Sequence, residues 1–207
     1  MRIPFIGQGC VGRSETVNCE RLVNLYPQTD PTGKAVIALY GCPGLNRKAT
    51  LSTGPIRAML PYELKLYVMS GDRFYWLNRK YGSTFVGNIN SDTGFVSMAT
   101  NGLVIVIVDG PQGWNFTIST GVLTQITDAD FPTKPIVVDV LDNTFIVVQG
   151  GTQEFYTSPD GLAWAAADFS SAETAPDDLN GMIVDHQEIV LFGQTSTEIW
   201  YNSGGTF

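Results

Sequence analysis

The 207-residue chain sets 12 Lys and Arg against 20 Asp and Glu, a net charge of −8, with 43% apolar residues and 22 glycines. That balance excludes a basic surface for gripping phosphates and a chain too polar to fold, and no run reaches the roughly 18 apolar residues a membrane span needs. Abundant glycine with only 15% charged residues suits many short strands and tight turns, so the expected fold class is all-β, in one domain or two small ones.

From the N-terminus, MRIPFIGQGC has too short an apolar core for a signal peptide. GQGCVG (Gly7–Gly12) matches GxGxxG, and Asp30 follows at a spacing that a dinucleotide site would use. Pro27 and Pro31 bracket the strand such a site requires, and no strand–helix–strand rhythm follows. An extended, Gly-rich arm is the expectation over residues 1–50. Cys10, Cys19 and Cys42 form no CxxC pair, and the single histidine, His186, is remote in sequence. No metal site is therefore expected, and the thiols read as free in a reducing compartment.

Within that arm, KAVIALY (Lys34–Tyr40) reads as a strand. Beyond it, LYVMSGDRFYWLN (Leu66–Asn78), VIVIVDGPQGWNFTI (Val104–Ile118), TFIVVQGGTQEFYTS (Thr144–Ser158) and EIVLFGQTSTEIWYN (Glu188–Asn202) are variants of one object. Each is a β-branched or aromatic run, a turn and a second such run, which predicts a β-hairpin. Gly71, Gly110, Gly150 and Gly193 mark corresponding turns at spacings of about forty residues. A strand precedes each hairpin: PIRAMLPY, GFVSMAT, PIVVDVLD and GMIVDH. Turn-rich stretches follow the first three. A forty-residue period with three or four strands per unit predicts β-propeller blades, whose stacking buries both faces of each sheet. The expected blades are 55–92, 94–133, 135–178 and an incomplete 180–207. A plain β-sandwich is the competing architecture.

TSPDGLAW (Thr157–Trp164) has the form of an Asp box. Asp160 would bond turn amides, Gly161 would take a positive φ, and Trp164 would pack back on the blade, with Ser158 completing the pattern. Such a turn is structural. Catalytic residues and cofactors are not expected. His186 lacks a nucleophile's signature around it, and VDHQE (Val184–Glu188) reads as a turn between strands. Asp139, Asp185, Glu188 and Glu198 are the carboxylates that a glycosidase would have to bring together. All seven arginines lie at or before residue 79, against a sialidase-like site. Trp76, Trp114, Trp164 and Trp200, one per unit, read as core packing rather than sugar platforms.

VNCERLVNLYPQ, LYGCPGL, FVSMATNGLVIVIVDG and above all DFSSAETAPDDLNGMIVDHQEIVLFGQTSTEIWYNSGG (Asp168–Gly205) resemble the podovirus packaged-DNA stabilisation proteins, tail accessory factors of the tail hub. Together these stretches cover most of the chain. The resemblance implies a non-enzymatic β-propeller that assembles as a hexameric ring under the portal and adaptor, helps retain packaged DNA and carries the tail needle. It implies a place in the virion tail, after assembly in the host cytoplasm, without sequence-specific nucleic-acid contact. Members of that family are longer, which implies either the N-terminal part of a larger propeller or a shortened relative. Two alternatives stand beside it. Four units could close as a small propeller with Lys34–Tyr40 completing the last blade, and the fold could serve a carbohydrate-binding or sialidase-like protein.

Overall fold

The computed structural model describes residues 24–29, 37–52, 54–175 and 177–201. The GxGxxG motif, Cys10, Cys19, the first part of VNCERLVNLYPQ, Asp30, Lys34–Val36 and the NSGG stretch lie outside the described residues. The chain divides into two compact units, residues 1–47 and 48–207.

In the first unit, β1 (Leu25–Thr29) and β2 (Ile37–Gly41) form an antiparallel two-stranded sheet. Tyr26 and Tyr40 are direct cross-strand partners, and their rings stack at 5.9 Å. The described part of the expected closing strand is therefore paired with Leu25–Thr29. Cys42 is a free, exposed thiol.

The second unit holds four antiparallel sheets, each in simple up-and-down order. The first comprises β3 (Ile56–Tyr62), β4 (Lys65–Ser70), β5 (Arg73–Leu77) and β6 (Ser83–Asn88). The second comprises β7 (Ser97–Thr100), β8 (Val104–Val108), β9 (Gly113–Thr117) and β10 (Val122–Gln125). The third comprises β11 (Pro135–Leu141), β12 (Thr144–Gln149), β13 (Glu154–Ser158) and β14 (Phe169–Ser171). The fourth comprises β15 (Leu179–Asp185), β16 (Glu188–Gly193) and β17 (Thr197–Tyr201). Among the described residues there is no helix. The stretches read from sequence as turn-rich each hold a short outer strand, β6, β10 or β14. These strands show little apolar alternation because most of their residues are not buried.

The sheets stack face to face in chain order, the arrangement of a β-propeller. Strand alternation decides which side chains face which neighbour. In β8, Ile105 and Ile107 meet Tyr67, Met69 and Phe74 of the first sheet, while Val104, Val106 and Val108 meet Val138, Phe145 and Val147 of the third. In β12, Phe145 and Val147 face backward, and Ile146 and Val148 face forward to Ile189 and Leu191. Both strands are apolar on both faces because they are covered on both faces, which is why VIVIV and FIVV do not alternate with polar residues. Burying one such side chain contributes about 1.5–3 kcal/mol.

The turn glycines are not all alike. Gly71 and Gly110 have φ of 57° and 101°, the region that favours glycine. In the third sheet that role falls to Gly151 at 79°. Gly150 answers a packing demand instead, since a Cβ there would lie 2.6 Å from Ile136 Cγ2.

Candidate functional site

The Asp-box-like residues begin at Ser158, the last residue of β13, and sit on the seam between the second and third sheets. Asp160 Oδ1 accepts the Leu162 amide at 2.8 Å and the Ala163 amide at 3.1 Å. The Ser158 hydroxyl, fully buried, donates to the Ala163 carbonyl at 2.6 Å and accepts the Gly161 amide at 2.9 Å. Gly161 has φ of 72°, and a Cβ there would lie 2.7 Å from Val106 Cγ2 and 2.8 Å from Phe145 Cε2. Glycine is thus demanded by conformation and by space together. Trp164 is 5% exposed and meets Phe131 edge-on at 4.9 Å, while its amide donates to Asp128 Oδ2 at 3.1 Å. Partial burial pushes the Asp160 carboxyl up, but the amides of Leu162 and Ala163 and the Ser158 hydroxyl outweigh it, leaving its pKa below the usual range.

Beside this turn a cleft of about 600 Å³ opens between the two sheets, lined by Leu103, Ile118, Asn143, Pro159, Asp160 and Leu162 among others. Asp160 is its only carboxylate, and that group is engaged by the turn. Asn115, on β9, leaves its buried Oδ1 without a partner, as do the indole N–H groups of Trp114 and Trp164.

The carboxylates considered for glycosidase chemistry are not gathered in a pocket. Asp139, on β11, accepts the Val184 amide of the fourth sheet through Oδ2 and the Val140 amide through Oδ1, each at 2.9 Å. Glu198 accepts the Thr174 amide at 2.8 Å and the Trp200 indole at 3.1 Å. Asp185 and Glu188 are cross-strand partners at the exposed β15–β16 turn, where Asp185 Oδ1 lies 2.7 Å from His186 Nδ1. His186 holds a positive φ of 56° there. Among the described residues no group of three His, Cys, Asp or Glu is placed to hold a metal.

Trp114 and Trp164 are buried, and Trp76 and Trp200 pack against the intersheet cores. Their registers differ. Trp76 and Trp200 lie three residues along their strands, Trp114 lies one residue along its strand, and Trp164 lies beyond β13 altogether.

Three polar devices escaped the sequence reading. Arg57 donates to the carbonyls of Gly71, Ser91, Thr93 and Gly94 and to the Ser91 hydroxyl, tying the loop after β6 to the first sheet. Ser97 Oγ bridges β7 to β11, donating to the Val138 carbonyl at 3.1 Å and accepting its amide at 3.2 Å. Asp177 accepts the amides and hydroxyls of Thr195 and Ser196 at 2.6–3.0 Å, and these bonds lower its pKa to about 2. Single Arg, Ser and Asp residues carry no spacing signal, and their partners are 14 to 41 residues away. The arrangement as a whole fixes loops and joins sheets, and among the described residues it pairs no nucleophile with a base.

Comparison with known proteins agrees with this architecture. The family model Phage_stabilise, described as Bacteriophage P22 Gp10, beta-propeller, matches residues 1–207. A search of curated proteins returns no match. Among solved structures, the chain is similar to the computationally designed Ika4 protein at 9% identity and TM-score 0.56, covering 76% of this chain and 99% of that one. It is similar to BamB from Moraxella catarrhalis at 12% identity and TM-score 0.57, covering 80% of this chain and 53% of that one. Streptogramin B lyase gives 12% identity and TM-score 0.52, with 88% and 63% covered. At these identities the likeness concerns the fold alone, and the chain spans less than two thirds of the last two.

Proposed function

The chain belongs to that family of phage stabilisation β-propellers, and from this premise we propose that it is a structural, non-catalytic component of the phage tail hub. In this reading copies of the chain form a hexameric ring below the portal and adaptor, help retain packaged DNA in the head and carry the tail needle. The protein then resides in the virion tail and passes through the host cytoplasm during assembly. The observation that carries the reading is the family match along the whole chain. The chemistry is in keeping with it, since Asp139, Asp160, Asp177 and Glu198 all serve loop or intersheet hydrogen bonds. A net charge of −8 fits a component that borders DNA without gripping it.

The test is a phage in which the gene for this chain is inactivated and the protein supplied in trans. Particles made without the protein should package DNA and then lose it to added nuclease, and the wild-type protein should restore protection. An Asp160→Ala protein should restore protection equally. Stable DNA-filled particles in the absence of the protein would overturn the reading.

A further inference from the structure

The two faces of β9 differ in character. Trp114 and Phe116 pack into the core shared with the first sheet. Asn115 and Thr117 alternate with them and so face the third sheet. Asn115 stands there between Val106 of β8 and Thr124 of β10, its direct cross-strand neighbours. Val104, Val106 and Val108 continue that face as an apolar core against Phe145 and Val147. An aliphatic side chain at 115 would extend this core. The sequence places an amide there instead, 9% exposed and with its Oδ1 lacking any donor. A buried amide without its bonds opposes folding, so its presence calls for a partner.

Asn115 forms part of the wall of a cavity of about 420 Å³, within the range of small-ligand pockets. Thr117 and Thr124 on the strands, and Thr127 and Asp128 on the loop after β10, supply further polar groups, while Ile126 and Leu162 give the cavity apolar sides. Thr117 and Leu162 also border the cleft of about 600 Å³, so the two spaces adjoin. Asp128 is held in place by the Asp130 amide on Oδ1 and the Trp164 amide on Oδ2, each at 3.1 Å. Each oxygen keeps acceptor capacity for another donor. Among the described residues the hydroxyls of Thr117, Thr124 and Thr127 make no hydrogen bond. The seam lies between the two inner sheets, so the cavity does not depend on what borders either end of the stack.

We propose that this cavity binds a neutral saccharide, with Asn115 and Asp128 as its hydrogen-bonding anchors. An amide, hydroxyls and one carboxylate, with no Lys or Arg in the wall, match a ligand rich in hydroxyl groups, which both donate and accept. Ile126 and Leu162 suit the C–H face of a sugar ring. An anionic ligand would meet Asp128 and a chain of net charge −8. Among the described residues the wall holds no aromatic ring to stack on a sugar, which sets the dissociation constant at about 1–10 mM. Such binding goes beyond the tail-hub reading and does not rest on it, since it belongs to the isolated chain and needs neither a ring nor DNA.

An amide NMR titration of the isotope-labelled 207-residue chain tests the proposal. The probes are the methyl glycosides of glucose, galactose and mannose, to about 50 mM, with sialic acid as the anionic comparison. At least one neutral glycoside should give saturable shifts confined to Asn115, Thr117, the loop through Asp128 and Leu162, and sialic acid should give none. Asn115→Val should weaken binding at least about tenfold. It should also melt no lower than the wild type, because valine continues the row begun by Val106 and removes an unbonded amide. Thr124→Val, at an exposed position, should weaken binding about fivefold and keeps the test sound if Asn115→Val fails to fold. Asp185→Ala, on the fourth sheet, should bind like the wild type. No saturable shift with any neutral glycoside would overturn the proposal and leave an ordered water as the partner of Asn115. Tighter binding of sialic acid, shifts spread over the surface, or a folded Asn115→Val protein that binds like the wild type would overturn it too.

Discussion

Asp160 and Asp177 are both held by loop hydrogen bonds, yet they predict different measurements. Removing the Asp160 carboxylate leaves the Leu162 and Ala163 amides without their acceptor, but that turn is partly solvated. Asp160→Ala should therefore cost about 1 kcal/mol, read from the denaturant midpoint. Trp164→Ala should cost about 3 kcal/mol or more, because the ring fills the seam against Phe131. Gly161→Ala should be worse than its size suggests, since the new methyl meets Val106 and Phe145 at a φ of 72°. A Gly161→Ala protein as stable as the wild type would show that the turn relaxes freely. Asp177 predicts a pH effect. Its folded pKa of about 2 lies below the ordinary 3.8. Its contribution is complete above the ordinary value and is lost as pH falls through the folded one. The acid limb of stability between pH 4 and 2 should be steeper in the wild type than in Asp177→Asn, as followed by urea unfolding at stepped pH.

At the scale of strands and sheets, the second strand of each sheet was the most legible object in the sequence. VIVIV and FIVV announce strands covered on both faces, and the positions of β8 and β12 agree. The outer strands β6, β10 and β14 were hidden, because short, half-exposed strands carry little periodic signal. Intersheet polar links were hidden too. Asp139 was legible as a carboxylate, but sequence could not show that it would cap the Val184 amide of the next sheet. Asp139→Ala should cost about 1–3 kcal/mol by leaving two amides unpaired, whereas Asp185→Ala at the exposed turn should shift stability by no more than about 0.5 kcal/mol. Equal effects at the two sites would remove the intersheet role assigned to Asp139.

For the whole molecule, charge sets the expectation for nucleic acid. With a net of −8 and its basic residues concentrated before residue 81, the chain should show no retained complex with duplex DNA at about 0.15 M salt and about 10 µM protein in a filter assay. A measurable complex would mean that DNA retention works through direct contact. The sequence by itself determined the period, the hairpins, the doubly apolar middle strands and the family, because these are written in spacings of a few to forty residues. Only the tertiary structure decided which face of each strand meets which sheet, and where Trp164 and Asp139 find their partners. Those outcomes depend on the stacking of separate sheets, which brings Ser97 to Val138 and Asp139 to Val184 across 41 and 45 residues. Alternation says that a strand has two faces, and only packing says what lies against each.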